Sequence, residues 1–294
     1  MNKSILMAGL MLSISAFSAQ KQFPELNKIY RPKVDRGFDQ YKSNSLRGTK
    51  KMVLTFDDGP HATRTPRVLD LLKKYDVKAT FFILTKNVNK RTLPIVERIL
   101  KEGHILASHD HDHGNNNNES RAHFHSDLKK SVKMIKDIEN DLGIIQNESY
   151  YRFPYGAYGS NEAYHHFNVM KDVSDELFGE NCINFAFWDI DSEDWVAKLT
   201  PENIASNIQA HIVGGTAYKH KTVRTFFGNT KHKVEKYKIR SPRGGGVVLM
   251  HDIHERSIKA TELLLKWAQR ERVKVVPLNE VEEYKYHGRD CRLN

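Results

Sequence analysis

The sequence predicts an α/β protein: a largely parallel sheet or barrel of about seven strands, folded as a single catalytic domain. Two observations carry this. From Lys51 onward, short apolar runs alternate with segments of helical period. The length of 294 residues, 39% hydrophobic and 28% charged, also suits one α/β barrel. A doubly wound sheet is the alternative.

Apolar runs at 52–56, 79–84, 104–107, 150–153, 183–188, 246–250 and 273–276 read as buried strands. Helical patterns fall at about 64–75, 92–102, 126–141, 161–172, 201–210 and 257–270. Thr200-Pro201-Glu202-Asn203 places a capping residue before proline, a good helix start. Residues 20–47 are polar with scattered aromatics and read as a lead-in packing on a domain of 48–287, with 288–294 as a tail. No internal repeat is visible.

The first nineteen residues differ from the rest. Lys3 is followed by an apolar stretch, Ser4 to Ile14, too short to span a bilayer, and then by Ala16-Phe17-Ser18 with small residues at −3 and −1. This is the pattern of a secretory signal peptide, so export to the periplasm or beyond is expected, with cleavage near Ser18/Ala19. Export makes Cys182 and Cys291 a possible disulfide that would pin the tail near an inner strand; two free thiols is the equal alternative.

The net charge of +10 is concentrated. Between 211 and 245 lie nine Lys and Arg against the single acid Glu235, leaving the remainder nearly neutral. With Gly214-Gly215, Gly228-Asn229 and Gly244 to Gly246, this insert reads either as a solvated loop or as a β-hairpin guiding a polyanion. Export argues against nucleic acid as the partner, although Tyr218, Phe226, Phe227 and Tyr237 are compatible with stacking.

In parallel α/β folds, ligands meet the loops at the carboxyl ends of the strands. Five runs end in titratable groups: Asp57 and Asp58; His109 to His113; Arg152; Asp189, Asp191 and Asp194; and His251 with Asp252. Adjacent Asp57 and Asp58 repel each other unless a positive charge stands nearby. His109 and His113, four apart, can turn two imidazoles to one side. With Asp58 they make a three-ligand site with open positions, the pattern of a catalytic divalent metal. Zinc suits these donors first; cobalt, nickel and manganese also fit. His111 should point elsewhere. Asp252 reads as loop-capping, His61 as a surface residue and His104 as a packing residue.

The motifs TFDDGP (55–60), HDHDH (109–113), RFPYG (152–156), DSEDW (191–195) and LMH (249–251), in this order, resemble those of the polysaccharide deacetylases that share the NodB homology domain, carbohydrate esterase family 4. The resemblance covers roughly residues 50 to 285 and implies a distorted (β/α) barrel. Family members remove N- or O-acetyl groups from polymers such as peptidoglycan, chitin and xylan. The resemblance assigns Asp58, His109 and His113 to the metal. It makes Asp57 the base for the attacking water, kept ionised by Arg152, and His251 the acid for the leaving amine, held by Asp194 or by Asp191. The Tyr155 backbone N–H would face the oxyanion, and Trp195, Leu249 and Pro154 would contact substrate.

The expected reaction is therefore metal-dependent N-deacetylation of an extracytoplasmic polymer, peptidoglycan first, then chitin or poly-N-acetylglucosamine, with a xylan esterase further behind. A catalytically silent carbohydrate-binding protein is the reading from another class. A monomer is expected, with a polysaccharide partner, no nucleic acid and no integral membrane contact. Three features depart from the family. Asp110 stands where Ser or Thr is usual, able to accept the same local backbone bonds but adding negative charge near the metal; His111 adds an imidazole at the rim, either a substrate contact or an exposed residue; and the interval from Trp195 to Leu249 is long.

Overall fold

The computed structural model describes residues 22–24, 29, 41–159, 165–224 and 230–293. The segment read as a signal peptide, most of the lead-in, and Phe226, Phe227 and Gly228-Asn229 lie outside them. In chain order the strands are β1 (Lys51–Asp57), β2 (Thr80–Ile83), β3 (Ile105–Ser108), β4 (Ser149–Tyr151), β5 (Ile183–Phe185), β6 (Ile190–Asp191), β7 (Gly215–Arg224), β8 (Thr230–Ile239), β9 (Gly246–His251) and β10 (Lys274–Val275). The helices are α1 (Thr65–Lys74), α2 (Leu93–Lys101), α3 (Arg121–Leu142), α4 (His165–Phe178), α5 (Pro201–Val213) and α6 (Glu255–Glu271). Each of the seven apolar runs holds a strand. The two-residue β6 is too short to leave a periodic signal and was not expected.

The main sheet runs β5-β4-β3-β2-β1-β9-β6, with β10 beside the start of β1, and its pairs are parallel. It curls into a half-barrel with β5 and β6 at its ends, a distorted rather than a closed (β/α) barrel, and not a doubly wound sheet. Both faces are covered, which is why these strands read as continuous apolar runs. One face packs on α1, α2, α5 and α6 through residues such as Leu54, Val68, Val96, Ile208 and Leu264. The other holds an aromatic cluster in which Tyr41 touches Phe167, Phe185 and Phe187.

Thr200 caps α5 in a reciprocal capping box with Asn203, and Pro201 opens the first turn. Cys182 and Cys291 are paired, tying the C-terminal tail to the residue before β5. The basic segment is an antiparallel hairpin, β7–β8, rather than an irregular loop. Its base is fastened to α5, where Ser206 Oγ donates to the Thr216 carbonyl at 2.7 Å and Asn207 Oδ1 accepts from the Tyr218 N–H at 2.6 Å.

Candidate active site

The period-2 alternation of β1 decides which carboxylate is buried. Met52, Leu54 and Phe56 join the cluster under the helices and Val53 joins the opposite one, so Thr55 and Asp57 share the face of Val53. Asp57 is buried there against Arg152, which follows β4 and is itself fully buried. Arg152 Nη1 donates to Asp57 Oδ1 at 2.8 Å and to Thr55 Oγ1 at 2.7 Å, and Nε donates to the Ala186 carbonyl at 2.8 Å. The guanidinium carbon also lies 4.0 Å from the centre of the Phe82 ring. A charge this buried persists only with such partners.

The backbone of the same arginine orients an imidazole. His109 Nδ1 lies 2.9 Å from the Arg152 carbonyl, so the ring proton belongs on Nδ1 and the lone pair on Nε2. Burial lowers the His109 pKa and favours this neutral ring. Its Nε2 then faces Asp58 Oδ1 at 3.5 Å, while His113 Nε2 stands 3.2 Å from the same oxygen. Asp58 Oδ1 is buried without a hydrogen-bond partner. Burial pushes the Asp58 carboxyl up, but the His113 contact and the charge of His251 outweigh it and hold the group well below the usual carboxylate range. Lone pairs converging on an orphaned carboxylate oxygen are stable when a cation sits among them. One carboxylate oxygen and two imidazole nitrogens within 4.8 Å of one another suit an open divalent site, and His109 has the carbonyl partner that typically orients a ligating histidine. The residues present fit a divalent ion.

His251 closes β9 directly opposite Asp57 in the strand register. Its Nδ1 is 2.7 Å from Asp194 Oδ1, and its backbone N–H donates to Asp194 Oδ2 at 2.8 Å. Ser257 Oγ donates to that same oxygen at 2.5 Å. Burial opposes charge on His251, but the Asp194 carboxylate overrides it and raises the pKa to about 10. The imidazolium is therefore the resting form at neutral pH, with Nε2 4.0 Å from Asp58 Oδ2. The set can activate water on one side of Asp58 and deliver a proton on the other.

Residues 45–166 match the family model described as polysaccharide deacetylase. Over 256 residues the chain is 28% identical to the peptidoglycan-N-acetylglucosamine deacetylase PgdA of Listeria monocytogenes, covering 87% of this chain and 43% of that protein. The catalytic domain of a peptidoglycan N-acetylglucosamine deacetylase from Eubacterium rectale is 27% identical, with a TM-score of 0.56 over 78% of this chain and 88% of that one. Within residues 45–166 the chain is thus similar to the polysaccharide deacetylases. It spans less than half the length of PgdA. A family pseudoenzyme from Bacillus anthracis shares the fold, with a TM-score of 0.58 and 20% identity over 82% of this chain and 68% of that one.

The titratable groups border a cavity of about 450 Å³, walled by Trp188, Trp195, Leu249 and Tyr155. Pro154, expected in the substrate-binding set, is instead buried as the first residue of a 3₁₀ turn and does not line the cavity. Its ring starts the turn that brings Tyr155 to the mouth at φ 57°. Asp58, Asp110, His113 and Glu193 also have positive φ, so strained backbone gathers on the loops around this cavity.

Asp194 rather than Asp191 holds His251; Asp191 Oδ1 accepts from the Glu193 N–H and lines the cavity, with burial raising its carboxyl to about 6. His104 Nδ1 accepts from the Ala79 N–H, and Asp252 takes the Thr65 hydroxyl. His61 Nδ1 accepts from the Thr63 N–H. His111 is engaged by Thr85 and Lys130, away from Asp58, His109 and His113. The sequence reading missed Trp188, Ser257 and Thr55. Trp188 ends a predicted strand and looked like core, and Ser257 and Thr55 act on other site residues rather than facing the cavity.

Proposed function

We propose that the protein is an exported, metal-dependent polysaccharide N-deacetylase acting on peptidoglycan amino sugars. The observation that carries this reading is the convergence on Asp58 of two polarised pairs. Asp57 is clamped by Arg152, with its Oδ2 3.7 Å from His109 Nε2, and His251 is clamped by Asp194. A silent carbohydrate-binding protein has no need for a charged imidazole and a paired buried carboxylate at one cavity. The names of the relatives support peptidoglycan over chitin.

A divalent ion on Asp58, His109 and His113, zinc first, would supply a Lewis acid that brings the pKa of water to about 7 and polarises the acetyl carbonyl. Asp57, paired with Arg152, takes a proton from the attacking water as its oxygen bonds to the acetyl carbon. The Tyr155 N–H faces the resulting oxyanion. His251 gives its proton to the sugar nitrogen as the C–N bond breaks, releasing acetate and a free amine, and Asp194 stabilises the imidazolium beforehand. Trp195 and Leu249 enclose the methyl group.

The test is acetate release from purified peptidoglycan and from chitooligosaccharides. Release from peptidoglycan falls to background after chelation and returns with zinc. Release that survives complete removal of bound metal rules the reading out, and release from chitooligosaccharides alone moves the substrate.

The hairpin gives the polymer preference a second readout. Trp195 borders both the cavity and the hairpin, its ring 5.4 Å from that of His220, and Lys198 Nζ donates to the His232 carbonyl at 3.0 Å. Exposed Lys219, Lys221 and Lys233 stand beyond. Raising salt from about 50 to about 500 mM shortens the Debye length several-fold, so KM for peptidoglycan with acidic stems rises several-fold while KM for neutral chitooligosaccharides stays nearly constant. Equal shifts for both polymers would remove the hairpin from substrate guidance.

A further inference from the structure

The HDHDH segment contributes its first and last histidines to the triad at the cavity, and its two aspartates serve something else. A carboxylate oxygen of Asp112, a ring nitrogen of His123 and a carboxylate oxygen of Asp127 lie within 4.8 Å of one another. His123 and Asp127 are four apart on α3 and so share one face of its first turns. Asp127 is only 9% exposed, and its Oδ2 has no hydrogen-bond partner.

Asp110 is fully buried, and neither of its carboxylate oxygens makes a hydrogen bond of ordinary geometry, although the His111 N–H leans towards it. The local backbone bonds expected for this carboxylate are therefore not made in full. Glu119 joins the group through His123 Nδ1 at 3.3 Å, and it packs so closely over Gly114 that any Cβ there would collide with it.

Four carboxylates thus gather with His123 as the one cation-forming side chain paired to them among the described residues. The nearby lysines are turned to other acceptors, Lys86 to the Asp112 carbonyl and Lys130 to His111. Asp112 and His123 are exposed, and Asp112 Oδ1 accepts from the Gly114 N–H, but Asp110 and Asp127 are buried with unpartnered oxygens, and such groups call for a counter-charge.

We propose that Asp112, His123 and Asp127 bind a divalent ion at a second site, with the unpaired carboxylate of Asp110 behind it. One imidazole with two carboxylates suits zinc, manganese, cobalt or nickel, whereas calcium and magnesium favour oxygen ligands alone. The ion ties the 109–114 loop to α3, so it positions His109 and His113 without touching substrate. It accounts for aspartate at 110, where a neutral hydroxyl would supply no charge.

The test uses zinc alone and reads binding, not turnover. In an Asp58→Asn background, which removes the ligand shared by both imidazoles of the cavity triad, calorimetric titration still fills one site. Adding Asp127→Asn abolishes that equivalent or weakens it at least about tenfold, and adding His123→Ala does the same. Saturating zinc raises the melting temperature of the Asp58→Asn protein and leaves that of the double variants unmoved, since an ion stabilises only a fold that binds it. Absence of zinc binding in Asp58→Asn alone overturns the proposal. So does an equivalent that persists at unchanged affinity in both double variants.

Discussion

Asp57→Asn lowers kcat for acetate release by about 100- to 10,000-fold, the range over which a positioned general base acts, and leaves zinc affinity within a few-fold of the parent. The asymmetry follows from the geometry. Asp57 is not a member of the Asp58, His109 and His113 triad, and its Oδ1 is taken by Arg152 at 2.8 Å. Asparagine fills the same volume and its carbonyl can still accept that bond, so the fold and the metal ligands stay in place while the group that receives the proton is gone. Acetate release with parallel zinc calorimetry separates the outcomes. A loss of activity matched by an equal loss of zinc would make Asp57 a ligand, and a fall under tenfold would remove it from the base role.

Arg152→Met destabilises the protein by about 3–5 kcal/mol, because removing one partner strands a buried charge. Asp57 is 2% exposed and would be left buried without the guanidinium that pairs with it. The same change in an Asp57→Asn background costs much less, because the stranded charge is already absent. Urea denaturation of the two single variants and the double variant measures this directly. If the double variant is no more stable than Arg152→Met, the loss comes from packing against Phe82 and from the Ala186 carbonyl instead. The Arg152 backbone carbonyl survives the substitution, so His109 keeps its tautomer and zinc binding outlasts activity.

Much of this site was legible because chemistry sits where strands stop. Asp57, Asp58, His109, Arg152 and His251 each follow an apolar run, and such a run marks the strand whatever the details of its packing. The hydrogen-bond partners were harder to read. Ser257 reaches Asp194 from the first turn of α6, and Thr55 supports Arg152 from within β1, contacts that no spacing rule encodes. The role of the Arg152 carbonyl is carried by main chain and leaves no mark in residue type. Pro154 went astray for a related reason: its neighbour Tyr155 faces the cavity, and a turn with Tyr155 and Gly156 at positive φ reverses direction within a single step. The hairpin was visible as charge, but the alternation of its strands is diluted by lysine on both faces.

The pairing of β1 with β9 runs unbroken from Met52 and Gly246 to Asp57 and His251. Amide hydrogens in such a central pair exchange with solvent only through the rarest, most global openings. Asp57 and His251, the base and proton donor of the proposed reaction, are thus fixed opposite each other on one ladder. A bulkier ligand would meet the exposed rim of the cavity, where Tyr155 and Trp195, 66% and 45% exposed, both stand on turns rather than in the sheet. Changes in what the cavity accepts can accumulate there, one side chain at a time, while the reacting geometry stays as the two strands set it.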